Sequence, residues 1–158
     1  MAGGGAERVQ LAIIGHLVGK GHEVHLVLAF QGGALLPLVP PEVRVIELRA
    51  NRLAGAFSGL VRYLRAERPW SLQAIMWPCT VIAVAAKMAA RVPTKLLLTD
   101  HIALSRQYSA PRQRLAVRTT LRLFYPKAEA VAAVSRGAAE DVERLADLPA
   151  GSVEVIYN

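Results

Sequence analysis

The chain has 158 residues, which is enough for one globular domain with an apolar core. Hydrophobic residues make up 53% and charged residues 20% of the sequence, which excludes an acidic disordered or low-complexity protein. The formal charge of +7 favours an anionic partner, such as a phosphate, a nucleic acid or a lipid head group.

The first third of the chain alternates between helix and strand patterns. Residues 6–20 are predicted to form a helix, because apolar residues share one arc, Glu7 suits the positive helix start and Gly21 supplies a stop. The apolar run that follows is typical of a strand covered on both faces. The predicted strands here are 22–30 and 43–48, separated by a loop rich in glycine and proline, and the next helix is 53–65.

The same alternation continues to the end of the chain. Further strands are predicted at 72–77, 95–100, 130–134 and 152–157, and helices at 78–91, 111–125 and 136–148. This order predicts an α/β, Rossmann-like fold with a mostly parallel sheet, helices on both faces and right-handed crossovers. In such sheets ligands bind beyond the carboxyl ends of the strands, which directs attention to Asp100, His101, Ser135 and Arg136.

Several features bear on the compartment. The N-terminus lacks the apolar core of a secretory signal, and Pro78 interrupts the longest uncharged stretch, so we expect neither export nor a transmembrane helix. The single cysteine, Cys79, excludes an internal disulfide, and no His or Cys cluster has metal-ligand spacing. We therefore expect a cytoplasmic protein without structural metal.

His101 has the best placement of the four histidines for chemistry. It follows a buried strand and an acid, where an imidazole can exchange a proton or bind a substrate hydroxyl near neutral pH. A histidine at the start of a loop is also often only a surface residue.

Residues 101–128 contain six basic residues and no acid. Three of them, Arg114, Arg118 and Arg122, stack at i, i+4 and i+8 of the predicted helix, and apolar residues including Leu121 and Leu123 are expected on the other side. The row suggests a diphosphate or an anionic leaflet as its partner, and a solvated basic face is the alternative. Nucleic acid is disfavoured because aromatic residues for base stacking are too few and too clustered.

Two polar helix starts could hold a ligand. The Gly3–Gly5 run opens a helix and would let a phosphate approach free backbone N–H groups, although a flexible tail explains it equally well. It is no dinucleotide fingerprint, because the spacing and the preceding strand are lacking. Ser135 looks like an N-cap, with Glu140 and Asp141 suiting the positive helix end, and simple capping is the plainer explanation.

Taken together, a series of short strings resembles the N-terminal domain of family 4 glycosyltransferases over nearly the whole chain. The strings are GGAERV, GKGHEVHLVL, PPEVRVIEL, RYLRAERPW, TDH, LFYPKAEAVAAVS and EVIYN, in this order. The resemblance implies that residues 1–158 form a single domain, the acceptor-side half of a two-domain GT-B enzyme. In such an enzyme a C-terminal domain holds most of the nucleotide-sugar.

The resemblance also implies roles for particular residues. Gly4 and Gly5 match the glycine loop that faces the donor diphosphate, His101 matches a position at the reaction centre, and Ser135 and Arg136 match the segment facing the interdomain cleft. Such enzymes usually retain anomeric configuration and use no metal or cofactor besides the co-substrate, because positive side chains stabilise the departing nucleotide. The basic helix is similar to that of enzymes acting on undecaprenyl-diphosphate-linked sugars at the inner face of the cytoplasmic membrane.

Two departures from the family lead to further expectations. The family's first strand, which would precede the glycine loop, is expected to be missing, and the donor-binding domain would lie beyond Asn158. The 158 residues alone are therefore expected to transfer no sugar. The alternative is a free-standing Rossmann-like module that binds anionic lipid or phosphate without catalysis.

Overall fold

The computed structural model describes residues 4–157, which form parallel sheets connected by helices. The chain divides into two compact units, of which the first ends at Gly59 and the second begins at Leu60. Helix α2, Ala56–Glu67, crosses this boundary.

The first unit contains one long helix and a two-stranded sheet. Helix α1 is Gly5–Gly19, and strands β1, His25–Leu28, and β2, Arg44–Glu47, pair in parallel with His25 opposite Arg44. Beyond the C-cap of α1, Gly21 adopts a φ of 81° and donates to the carbonyl of Val18 at 2.8 Å. This left-handed conformation suits glycine, so the predicted helix stop is confirmed.

The second unit is built on a parallel sheet with the order β3-β4-β5-β6. Its strands are β3 Ser71–Ile75, β4 Lys95–Asp100, β5 Ala130–Ala133 and β6 Glu154–Val155. Its helices are α3 Cys79–Ala90, α4 Leu104–Gln107, α5 Pro111–Phe124 and α6 Arg136–Ala146. Each strand lies beside the next one in sequence, and a connection that contains a helix joins each pair.

The core of the second unit lies between this sheet and its helices. Val84 of α3, Leu98 of β4, Leu121 of α5 and Val142 of α6 are fully buried. Each such side chain contributes about 1.5–3 kcal/mol relative to an exposed one. This packing holds the ends of β4 and β5 in fixed positions.

The element types are as predicted, but several strands are shorter than predicted. The strand predicted at 72–77 ends at Ile75, because Met76 has a φ of 61°, outside the extended region. Strand 152–157 is reduced to Glu154–Val155. The short helix α4 was not predicted, since four residues are too few for a periodic pattern.

Candidate functional site

The register of the second sheet brings two predicted site residues to the same edge. Strands β4 and β5 are parallel neighbours with Asp100 opposite Ala133, and the backbone N–H of Val134 donates to the carbonyl of Asp100 at 3.2 Å. His101 and Ser135 therefore leave the sheet side by side at its carboxyl edge.

A cleft of about 660 Å³ opens at this edge. One wall comes from the segment that follows β4, including α4, and the other from Ser135 and the first turns of α6. The polar residues that line it include His101, Ser105, Arg106, Ser135, Asp141 and Arg144. Its charged groups are of both signs, as expected for a site that binds polar ligands.

His101 is half-buried on the wall of this cleft. Partial burial lowers the pKa of its imidazole below 6.5, since removal from water disfavours the charged form. Its Nε2 atom is buried and makes no hydrogen bond to any residue in 4–157. A largely neutral imidazole near pH 7, with a ring nitrogen not engaged by the protein, can bind or exchange a proton with a substrate hydroxyl.

The Ser135 side chain both caps helix α6 and lines the cleft. Its Oγ accepts a hydrogen bond from the backbone N–H of Ala138 at 3.3 Å, as the capping interpretation requires. Arg136, by contrast, is an exposed first residue of α6 and is not among the residues that line the cleft. The structure thus brings together His101 and Ser135 of the predicted set, but not Arg136.

Glu140 and Asp141 were expected near the positive start of α6. This was wrong, because neither residue lies in the first turn of the helix. Asp141 is instead buried and accepts a hydrogen bond from the backbone N–H of Ser105 at 2.8 Å, at the start of α4. Its other oxygen binds the guanidinium of Arg144. Asp141 therefore joins the two walls of the cleft.

Asp100 is fully buried at the end of β4 and lies in a polar network. Tyr125 Oη donates to Asp100 Oδ2 at 2.7 Å and lies 3.0 Å from Thr80 Oγ1. Burial raises the pKa of Asp100 to about 6, against the opposing effects of the hydrogen bonds from Tyr125 and the Trp77 backbone, and nearby Asp141 raises it further. Asp100 Oδ1 makes no hydrogen bond within the described chain.

Helix α5 carries the predicted arginine row at its surface. Arg114 and Arg118 are exposed and form no ion pair within residues 4–157. Arg122 lies 3.5 Å from Asp147, the C-cap of α6, so one member of the row has an acidic partner from a distant part of the sequence. Leu123 was expected on the apolar side but is 56% exposed, and Leu115 is 67% exposed.

Gly4 and Gly5 lie at the start of α1, in the first unit. Gly4 is the N-cap, and its backbone N–H donates to the Glu7 carboxylate at 3.0 Å. A Cβ added to either glycine would have no heavy atom within 4 Å, so the described chain itself does not require glycine there. Gly3 lies outside the described residues.

Sequence reasoning did not assign roles to Arg106, Arg144 or Tyr125. Arg106 and Arg144 both reach the cleft although they are 38 residues apart in the sequence, and no periodic pattern indicates that proximity. Tyr125 was assigned only to a helix end. For Asp100 there was a signal, since an acid that ends an apolar strand is expected to be buried with a partner.

The described residues contain no group of three His, Cys, Asp or Glu side chains suited to a metal ion. None of the helices in 4–157 combines the length and apolar character required to span a membrane.

Comparison with solved structures shows the fold. A crystal structure of HepE from Anabaena in complex with UDP superposes with a TM-score of 0.70, at 23% identity, over 98% of this chain and 41% of that one. No curated protein matches the sequence. A sequence model for glycosyltransferase family 4 matches residues 3–158.

The parallel sheets, with helices on both faces, are those of one half of a GT-B glycosyltransferase, which confirms the predicted fold class. The chain belongs to glycosyltransferase family 4, as the order of its short motifs predicted. It spans less than half the length of HepE.

Proposed function

We propose that this chain is the acceptor-binding half of a retaining glycosyltransferase that transfers a hexose from a nucleotide-sugar to a lipid-linked or polysaccharide acceptor. The observation that carries the proposal is the cleft lined by His101 at the carboxyl edge of the sheet, in a family 4 chain. The UDP bound to HepE supports a nucleotide-sugar as donor. The donor would be held mainly by a C-terminal domain.

The residues at the sheet edge suit the acceptor. A neutral His101 can accept or donate a hydrogen bond to an acceptor hydroxyl, and Ser105 and Ser135 add hydroxyls on opposite walls. The arginines of α5, in the second unit, would stabilise the diphosphate of the acceptor. The glycine start of α1, in the first unit, would separately face the diphosphate of the donor, so the transfer needs neither a metal nor a separate cofactor.

The test is turnover by a full-length enzyme that contains this chain. Nucleotide release from a panel of UDP- and GDP-sugars is measured with undecaprenyl-diphosphate-linked sugars and soluble glycans as acceptors, and product configuration is read by NMR. We expect acceptor-dependent release with retention, and none from the 158 residues alone. Turnover by the isolated chain, or none by the full-length enzyme with any pair, would contradict the proposal.

The exposed surface of α5 supports a lipid-linked acceptor at the inner face of the cytoplasmic membrane. Leu115 and Leu123 are exposed large apolar residues on the helix that presents Arg114 and Arg118. Apolar side chains interspersed with cations suit a helix lying in an anionic lipid interface. The same observation favours the second candidate, a module that binds anionic lipid or phosphate without catalysis.

Replacing Arg114 and Arg118 together with Glu in the full-length enzyme is expected to weaken partition onto phosphatidylglycerol vesicles roughly tenfold or more, because each basic residue at such a surface contributes about 1 kcal/mol. The acceptor KM should rise as well. The control is Arg52→Glu with Arg62→Glu, an equal charge change at exposed positions outside α5. Equal partition of the two double variants would rule out the lipid-facing role of α5.

A further inference from the structure

Tyr125 anchors the C-terminal end of α5 to the end of strand β4. Tyr125 is 1% exposed, and its hydroxyl lies between Asp100 Oδ2 at 2.7 Å and Thr80 Oγ1 at 3.0 Å. Asp100 is the residue immediately before His101, and its main chain pairs with Ala133 of β5. The end of α5 and the start of the His101 segment therefore share one buried hydrogen bond.

Thr120 anchors the same helix to the end of the neighbouring strand β3. Trp77 Nε1 donates to Thr120 Oγ1 at 3.1 Å, and this hydroxyl lies 2.7 Å from the Ala116 carbonyl, to which it can donate. Trp77 also contacts the segment that follows α4, because the Tyr108 ring lies edge-on at 4.7 Å and its hydroxyl donates to the Trp77 carbonyl at 3.3 Å.

These contacts form two polar links to the arginine-bearing helix. The Tyr125 link leads to the end of β4, directly before the cleft residue His101, and the Thr120 link leads to Trp77 after β3, which in turn contacts Tyr108 after α4. Helix α5 also buries Val117 and Leu121, but apolar packing is non-directional and fixes the register of a helix less strictly than hydrogen bonds do. The buried hydroxyl and carboxylate of the Tyr125 link make a shift of α5 costly, because the partners would lose their hydrogen bonds.

We propose that Thr120 and Tyr125 are positioning residues, which hold α5 in register with His101 so that both reach the same acceptor. The inference rests on the proposed function, since it assigns the diphosphate end of the acceptor to α5 and the reacting hydroxyl to His101. Neither Thr120 nor Tyr125 is among the residues that line the cleft.

The test compares Thr120→Val with Thr120→Ser in the full-length enzyme. Valine keeps the shape but cannot accept from Trp77, whereas serine retains the hydroxyl. We expect Thr120→Val to raise the acceptor KM about fivefold, in line with one lost hydrogen bond, and Thr120→Ser to restore it. The donor KM and the slow hydrolysis of the donor without acceptor should not change.

Tyr125→Phe should raise the acceptor KM about tenfold, because it removes the buried link at the helix end. Tyr157→Phe, at an exposed tyrosine, is the matched control and should leave all constants unchanged. If Tyr125→Phe does not fold, the test rests on Thr120→Val and Thr120→Ser alone, since Thr120 is only half-buried.

Two results would overturn the inference. One is an unchanged acceptor KM in Thr120→Val, and the other is an equal fall of transfer and donor hydrolysis, which would assign the Thr120 hydroxyl to folding and not to the placement of α5. If the wild-type enzyme transfers sugar and Thr120→Val has the wild-type acceptor KM, only the positioning role is refuted. A wild-type enzyme that transfers no sugar refutes the proposed function and this inference together.

Discussion

Replacing His101 with Ala in a full-length enzyme is expected to lower kcat about 100-fold, the lower end of what a positioned proton-transfer group contributes. The reason is its place in the cleft at the end of β4, with a buried Nε2 atom that makes no hydrogen bond to the described chain. Because burial lowers its pKa below 6.5, most of the imidazole is neutral at neutral pH. The measurement is kcat and KM for donor and acceptor in the transfer assay.

The pH profile and two further variants make this prediction sharper. Wild-type kcat/KM should hold down to pH 6.5 and fall below it, as His101 becomes protonated. His101→Gln keeps hydrogen-bonding groups without a titrating one, so it should retain part of kcat and lose that pH dependence. His22→Ala, at an exposed histidine, is the control and should resemble wild type. A kcat for His101→Ala within twofold of wild type would exclude the assigned role.

The second large effect is on stability. We compare the free energy of unfolding of the wild-type chain with that of Asp100→Asn at each pH. The wild-type value, relative to the variant, is expected to fall by roughly 3 kcal/mol between about pH 4 and pH 6. Each unit of pKa difference between the folded and unfolded states corresponds to about 1.4 kcal/mol. Burial raises the pKa of Asp100 from 3.8 to about 6 in the folded chain. The measurement is urea unfolding followed by circular dichroism at half-unit pH intervals.

The direction follows from proton binding. Between the two pKa values the folded state holds a proton on Asp100 that the unfolded state has released. This contribution to stability is therefore fully present below pH 3.8 and is lost as the pH rises through about 6. Above that pH the carboxylate is buried as a charged group, whereas the amide side chain of the Asp100→Asn variant would remain neutral throughout.

Asp147→Asn is the matched control, because Asp147 is an exposed acid in the same unit. Its difference profile against wild type should lack the decrease between pH 4 and pH 6. A flat difference profile for Asp100→Asn over the same interval would show that the carboxyl titrates alike in folded and unfolded chains, and would refute the prediction.

Much of the fold follows from local patterns. The apolar run that ends in Asp100, the proline at position 111 and Gly21 after the first helix each indicated an element or its end, and each is observed. Strand ends were less accurate, because a strand stops where its neighbour stops pairing. Glu154–Val155, paired only to Ala132 and Ala133, is the clearest example.

The candidate site was predicted only in part, because the sequence indicates where strands end but not which distant residues come into contact. The position of His101 and Ser135 after consecutive buried strands was enough to expect them together, since parallel neighbours end at one edge. The bond from Asp141 to the Ser105 backbone, the Arg122–Asp147 pair and the Tyr125–Asp100 bond join residues 25 to 36 positions apart. No periodicity or short motif encodes contacts at that separation.

The sequence by itself determined the α/β class, the family and the position of His101 just after a buried strand, because these depend on periodicity and on the order of short motifs. The tertiary structure alone decided that Asp141 joins the cleft walls, that Arg122 has an acidic partner and that Leu115 and Leu123 are exposed. These outcomes depend on which helices pack together, and packing brings side chains into contact across long stretches of chain.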